Sequence, residues 1–332
     1  MADIKVLMMG GKRAGKTSIM AAMERCCDDV TGSVQDITVY CEEGSTHIAD
    51  KQVELHQYFE GELGAEYFLT PDNGPSSAPE HFEFHVTIGE RASGYSLNFT
   101  DVPGEYYQNS QHQDEVVDLI RKSEVLLIAV DTPHMMEEID PALGFGGYHH
   151  EFNRVKEIAC YLKEALADNK DPRLVIFVPL KSEKYYYKKK LNDVSQMVEK
   201  AYAPVLEVLT DESQKNLITV AVMPIITLGG LEFFKFDKED PMAVGLYSRV
   251  PNCSYVPRFC EQPLIMALRY LVAVEEMKKK RRWKVVNLFA EKFFKEARMK
   301  DLVACRKELN ELLKNGEDGY RFIQDPAGIA QK

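Results

Sequence analysis

Gly10-Gly11-Lys12-Arg13-Ala14-Gly15-Lys16-Thr17 stands between an apolar run, Ile4-Lys5-Val6-Leu7-Met8-Met9, and a helix-forming run, Ser18-Ile19-Met20-Ala21-Ala22-Met23. The spacing G-x-x-x-x-G-K-[ST] between a strand and a helix is the phosphate-loop pattern. Small residues let the backbone curl so that successive amide N–H groups point into one hollow, and the positive end of the following helix adds to that field. The loop therefore predicts a phosphate cradle built from Gly10, Gly11, Lys12, Arg13, Ala14, Gly15, Lys16, Thr17 and Ser18. Lys16 is expected to reach the terminal phosphates. Thr17, on the first helical turn, is expected to offer its hydroxyl to a magnesium ion bridging two phosphate oxygens.

The rest of the chain keeps the strand-then-helix rhythm. Apolar runs at 4–9, 82–88, 95–100, 124–131, 173–179 and 217–225 alternate with helix-like stretches at 15–26, 108–122, 150–168 and 188–208. Val155, Ile158, Leu162 and Ala165 fall on one helical face. Six strands joined by crossover helices imply an α/β fold with a mostly parallel sheet covered on both faces. Runs 82–88 and 95–100 are separated only by Gly89-Glu90-Arg91-Ala92-Ser93-Gly94, too short for a parallel crossover, so they should form an antiparallel hairpin. Residues 28–80 read as an insertion before that hairpin, with a short strand at Ile37–Cys41, a helical segment near His47–Phe59 and a turn-rich tail from Thr70 to Pro79. Beyond about 265 the pattern is helical to Lys314. At ~150 residues per domain the length suggests roughly two domains or one enlarged by insertions, and the expected division is one domain over 1–275 and a helical C-terminal extension over 276–332.

The run Tyr95–Thr100 leads into Asp101-Val102-Pro103-Gly104-Glu105. An Asp at the C-terminal end of a strand beside a phosphate loop can hold magnesium through a water, and the Gly104 N–H is free to approach a terminal phosphate.

With this D-x-x-G pattern the sequence resembles the P-loop GTPases of the Ras-like, translation-factor-related class over roughly residues 3–275. The resemblance implies GTP or GDP and Mg²⁺ as ligands, with Lys16 and Thr17 on the β- and γ-phosphates and the metal, and Asp101 behind the metal. Gly104 would sense the γ-phosphate, and Lys16, Gly104 and Glu105 would form the catalytic set. Many small GTPases have Gln where this chain has Glu105, and a carboxylate beside a γ-phosphate is repelled unless offset or protonated, so slow turnover is expected. Lys12 and Arg13 can compensate in part as cations supplied in cis.

Leu180-Lys181-Ser182-Glu183 resembles the [NT]-K-x-D signature, with Leu for the first polar residue and Glu for Asp. This implies that the Lys181 stem covers the guanine ring and Glu183 accepts its N1–H and exocyclic amine. Thr227 and Leu228 stand where the family has a loop whose backbone touches the guanine O6. Thr70 is the expected switch threonine of the magnesium shell, with Thr38 and Thr46 as competitors. These motifs, the insertion, and Cys260-Glu261-Gln262-Pro263-Leu264 entering a helix are most similar to bacterial double-GTPase-type or Ras-like prokaryotic GTPases. The implied function is a switch that binds Mg-GTP and hydrolyses it slowly, with a protein effector or regulator as partner. Two rivals stand beside it. An ATP-using P-loop enzyme of the nucleotide-kinase kind would need a lid of arginines and an acceptor site; a non-catalytic interaction protein is favoured by Glu105.

Composition narrows the alternatives. The 41 Lys and Arg against 52 Asp and Glu leave a net charge of −11, which argues against general nucleic-acid binding. No apolar run reaches the length of a membrane span, and the N-terminus does not read as a signal peptide, so a cytoplasmic protein is expected. Seven cysteines without a Cys-x-x-Cys pair read as reduced thiols. His149-His150 is expected to face solvent, and the basic run 278–284 to form a solvated helix face. No H-E-x-x-H or G-x-S-x-G pattern supports other hydrolase chemistry.

Overall fold

Alternate residues of the first strand, β1 (Ala2–Met9), enter opposite layers: Ile4, Val6 and Met8 join one hydrophobic core, Leu7 and Met9 another. A strand buried on both faces belongs at the centre of a sheet with helices above and below. The computed structural model describes residues 2–33, 37–41, 53, 68–69, 78–88, 93–137, 149–237, 245–281, 309 and 319–329. After β1 come α1 (Lys16–Ser33), β2 (Ile37–Cys41), β3 (Phe68–Leu69), β4 (Glu80–Ile88), β5 (Ser93–Asp101), α2 (Gln113–Lys122), β6 (Val125–Asp131), α3 (Thr132–Met136), α4 (His149–Asn153) and α5 (Val155–Ala165). They are followed by β7 (Arg173–Leu180), α6 (Glu183–Tyr187), α7 (Leu191–Ala201), α8 (Ala203–Leu209), β8 (Ile218–Val222), β9 (Leu231–Phe236), β10 (Gly245–Arg249), α9 (Gln262–Arg281) and β11 (Arg321–Gln324).

The main sheet has the order β11-β8-β7-β6-β1-β5-β4-β2. Strands β5, β1, β6, β7 and β8 run parallel, β4 is antiparallel to β5, and β2 and β11 pair antiparallel on the two edges. All six expected strands are in it, including the hairpin, whose register runs from Glu80 opposite Asp101 to Ile88 opposite Ser93. The sheet has eight strands rather than six, however. The short run Ile37–Cys41 adds one edge, and Arg321–Gln324 adds the other from within the stretch expected to be a helical extension. One exposed and three partly buried residues carry too weak a pattern to stand out as a strand in sequence.

One core gathers the inner faces of α1 and α9, through residues such as Ile19, Met20, Met23, Leu264 and Leu268. The other is covered by α2, α5, α7 and α8, with Val116, Ile120, Val194 and Leu209. The expected stripe Val155, Ile158, Leu162 and Ala165 is buried in it. Expected helix 150–168 is broken at Arg154, which takes a left-handed conformation (φ 51°, ψ 37°). Expected helix 188–208 is broken at Tyr202, with Pro204 placed in the first turn of α8, where a missing N–H costs nothing. His149 corrects the expectation of exposure: it is buried against Tyr202, and burial pushes its pKa down to about 4. His150 is exposed.

A second sheet, β3-β10-β9, was not foreseen. Its buried residues include Leu231, Phe233, Phe236, Leu246 and Tyr247, and Phe236 rests against the His134 ring 4.8 Å away. Since β9 begins directly after Thr227–Gly230, this sheet fixes the exit of that loop. No helix among the described residues is long and apolar enough to cross a membrane. Helix α9 reaches Arg281, whereas the side chains of the basic run 278–284, the segment 47–58 except Val53, and Thr46 lie outside the described residues.

Candidate functional site

The parallel strands end together on one edge of the sheet, and β1 lies between β5 and β6, where the chain's progress across the sheet reverses. In open α/β sheets that crevice is where ligands bind. The segments 10–18, 101–105, 181–183 and 227–228 converge there through direct contacts.

Lys16, at the start of α1, is buried, and its Nζ donates to the carbonyl oxygens of Gly10 and Gly11 at 3.3 Å each. It also lies 3.8 Å from Asp101 Oδ1. Burying an ammonium is costly unless it is compensated, and these long contacts leave it ready to exchange carbonyls for a stronger anionic acceptor. Thr17 Oγ1 donates to Asp101 Oδ2 at 3.3 Å, whereas Asp101 Oδ1, also buried, accepts no hydrogen bond among the described residues. Burial pushes the Asp101 carboxyl up to about 6, against the pull of Lys16. A hydroxyl and a carboxylate side by side suit a hard cation. No group of three or more His, Cys, Asp or Glu among the described residues could hold one unaided. A metal here would complete its shell from ligand oxygens and water, as magnesium commonly does.

Gly104 opens a 3₁₀ turn over Gly104–Tyr107 and presses against the phosphate loop. A Cβ at this position would lie 2.2 Å from Lys12 N and 2.6 Å from Gly11 C, so no larger residue fits without displacing backbone. Beside it, Lys12 Nζ pairs with Glu105 Oε1 at 3.0 Å, both side chains about one-third exposed. An exposed pair adds little stability, yet it sets an ammonium against the carboxylate whose repulsion of a phosphate was anticipated.

Lys181, in left-handed conformation (φ 57°), links the phosphate loop to the end of β6. Its Nζ donates to Arg13 O at 2.7 Å and to Asp131 Oδ2 at 2.6 Å. Asp131 ends β6, and its Oδ1 accepts from His134 N and lies 2.8 Å from His134 Nδ1. Burial favours its neutral form, but Lys181 and His134 outweigh burial and hold its carboxyl well below the usual range. Glu183 is fully buried; its Oε1 accepts from Leu228 N at 2.7 Å, and its Oε2 has no hydrogen-bond partner among the described residues. Burial pushes the Glu183 carboxyl up to about 7, against the amides of Leu228 and Thr227 and the charge of Lys181.

Gly10, Gly11, Ala14 and Gly15 lie in the turn before α1, Ser18 continues α1, and Glu183 meets the backbone amides of Thr227 and Leu228 beside Lys181. Thr70 lies outside the described residues, directly after β3. Thr38 sits on β2 opposite Thr87, toward the end of the sheet where β5 begins, and is therefore remote from Asp101. Sequence reasoning missed Asp131, although a carboxylate closing the apolar strand 125–131 is a readable signal. It also missed Phe152–Arg154, which packs on Gly11: a Cβ there would lie 1.7 Å from Phe152 O and 3.7 Å from Arg154 Cγ. No protein-family model and no curated protein matches this chain.

Proposed function

We propose that the chain is a guanine-nucleotide switch that binds Mg-GTP and hydrolyses it slowly to GDP and phosphate. The observation that carries this reading is Lys181: one ammonium donates to the phosphate-loop carbonyl of Arg13 while its neighbour Glu183 is gripped by the Leu228 amide. Loop and base motif are thus tied together through Lys181 and Glu183, the adjacency that one ligand carrying both phosphates and a base would need.

In this reading the loop amides and Lys16 hold the β- and γ-phosphates, and the Thr17 hydroxyl and Asp101 are the groups that would hold Mg²⁺. Their fit rests on the buried, unsatisfied Asp101 Oδ1 beside the Thr17 hydroxyl. The ion supplies charge neutralisation across the phosphates. Gly104, pressed on Lys12, is the residue whose N–H would meet the terminal phosphate. Glu105, its charge offset by Lys12, is the side chain that would orient the attacking water. Glu183 Oε2, lacking a donor, accepts from the guanine N1–H and amine, donors that adenine does not offer in that pattern.

Titration of the purified protein with fluorescent GTP and ATP in magnesium buffer tests this. GTP is expected to bind at least about tenfold tighter, the scale of one well-placed polar contact; equal or better ATP affinity removes the guanine assignment. Base recognition needs the Glu183 anion, so GTP affinity should rise with pH through about 7. Glu183→Gln should weaken GTP and flatten that rise. Without nucleotide the sign is opposite: a carboxyl raised on folding favours the folded state fully below its unfolded value. That contribution is lost as pH climbs through about 7.

A further inference from the structure

We propose that the cleft between the end of α6 and the segment 252–258 is a second ligand site, which takes a small molecule carrying a phosphate on an aromatic ring and, when filled, restrains the loop Thr227–Gly230. The action on the loop rests on the guanine reading above; the site itself does not. The cleft has a volume of about 460 Å³, within the range of small-molecule sites, ~300–1,000 Å³. Tyr186 and Tyr187 line it, their rings 5.3 Å apart and inclined at 73°, so that they make a corner. Tyr187 and Val256, 37% and 43% exposed, are two of the five large hydrophobic residues left open among the described residues, and both border this cleft. One such residue alone needs no explanation, but two in one cleft leave apolar area for a ring to cover.

The charge of the cleft runs against that of the chain. In a protein of net charge −11, no lining residue is acidic, whereas Lys189 and Arg258 both line it. Neither side chain makes an ion pair among the described residues; the Arg258 guanidinium instead lies 5.6 Å from the centre of the Tyr186 ring. By contrast, Lys12, Lys181 and Lys184 hold carboxylates at 3.0, 2.6 and 2.5 Å. A guanidinium laid on a ring keeps its N–H fork available, and that fork matches phosphate oxygens in pairs. Two such cations beside two aromatic rings suit an anion that is itself attached to a ring. The backbone sets this arrangement: Lys189 and Asn252 both take left-handed conformations, φ 56° and 58°. Lys189 N donates to Tyr186 O at 2.9 Å, the turn that ends α6 and brings its side chain to the cleft.

The same residues grip the loop that serves Glu183. Arg258 N donates to Ile226 O at 2.8 Å, and Ile226 N donates to Arg258 O at 3.0 Å. Tyr187 OH donates to Gly229 O at 3.2 Å. Gly229 itself, at φ +62°, lies so close to the segment that a Cβ there would be 2.6 Å from Val256 N. Cleft residues therefore hold the chain on both sides of Thr227 and Leu228, and the Leu228 amide donates to Glu183 Oε1 at 2.7 Å. An occupant that fixes Arg258 and Tyr187 restrains this loop and slows the escape of a base held by Glu183. That is a coupling between two distinct sites through one shared loop.

The probe is phenyl phosphate, titrated calorimetrically into the full chain beside inorganic phosphate, which has the charge without the ring, and benzyl alcohol, which has the ring without the charge. Phenyl phosphate should bind at least about tenfold more tightly than either, the scale of one charge-assisted contact. Arg258→Gln should weaken it about tenfold and Lys189→Gln about threefold; both side chains are exposed, so the fold is not at stake. Lys16→Ala should keep this binding, since the phosphate loop takes no part in it. Fluorescent GTP, chased with unlabelled GTP, should leave at least about threefold more slowly when phenyl phosphate is saturating. Tyr187→Phe, which keeps the ring but not the hydroxyl on Gly229, should bind the probe and lose that slowing. Equal binding by Arg258→Gln and the parent, loss of binding in Lys16→Ala, or no preference for phenyl phosphate overturns the site and leaves the switch reading intact. GTP release unchanged by bound probe overturns the action on the loop. A parent protein that binds phenyl phosphate but not GTP removes the switch reading and the action on the loop, and leaves the cleft as a ligand site.

Discussion

Gly11→Ala is expected to lower thermal stability by roughly 5–10 °C, because the new methyl would lie 1.7 Å from the Phe152 carbonyl oxygen. Both sides of that clash are backbone, and neither can turn away as a side chain can. Overpacking typically costs about 1–3 kcal/mol, and a clash of backbone on backbone belongs at the upper end of that range. Relief would require the 152–154 segment to lift from the loop, against the pair of hydrogen bonds that tie Asn153 to Asp131. The variant should therefore lose nucleotide affinity along with stability. Differential scanning calorimetry measures the first and GTP titration the second. Thr38→Ala, at an exposed edge position, serves as the control and should change stability by less than about 0.5 kcal/mol. A Gly11→Ala protein melting with the control would show that the segment does not press on the loop.

Lys16→Ala is expected to weaken Mg-GTP binding about 100-fold or more, the consequence of losing charge-assisted contacts of about 1.5–3 kcal/mol each. A second effect adds to the first. Asp101 already sits at about 6 because burial outweighs its attraction to Lys16; without that ammonium its carboxyl rises further and is more protonated at neutral pH. The magnesium side of the site should weaken together with the phosphate side, so extra magnesium would not restore binding. The fold should survive, since the contacts of Lys16 are all long, 3.3 Å to the Gly10 and Gly11 carbonyls and 3.8 Å to Asp101 Oδ1. Competition titration against fluorescent GTP decides the matter; a variant binding as tightly as the parent would remove the loop from the proposed function.

The strand-and-loop grammar of the central sheet was legible because burial on both faces leaves unbroken apolar runs, as in Val125–Val130 and Leu174–Val178. The hairpin followed from linker length alone. The edges were not legible. Along β9 the residues alternate irregularly between buried and exposed, β3 is only two residues long, and β11 is never fully buried. The same contrast runs through the site. Lys16, Asp101, Gly104, Lys181 and Glu183 belong to short motifs whose spacing carries their chemistry. Asp131 gains its own only from a tertiary neighbour, meeting Lys181 because β6 and β7 lie side by side with Asp131 opposite Leu180. His149 was misjudged for the same reason: adjacent histidines in a glycine-rich stretch look solvated until Tyr202 covers one of them.

The far border of the sheet has a consequence for how the chain is made. Strand β8 is complete at Val222, yet the strand that seals its outer side does not begin until Arg321. At translation speeds of about 5–20 residues per second, that leaves several seconds or more during which the nascent chain offers an open ladder of amides and carbonyls. Closure then comes late: Gln324 Nε2 donates to Ile218 O at 2.6 Å, Arg321 meets Glu199 at 2.8 Å, and Ser195 bonds Gly319 O. Ribosome-stalled intermediates ending before residue 319 should therefore be the aggregation-prone ones, and the hazard should end once Arg321–Gln324 has paired with β8.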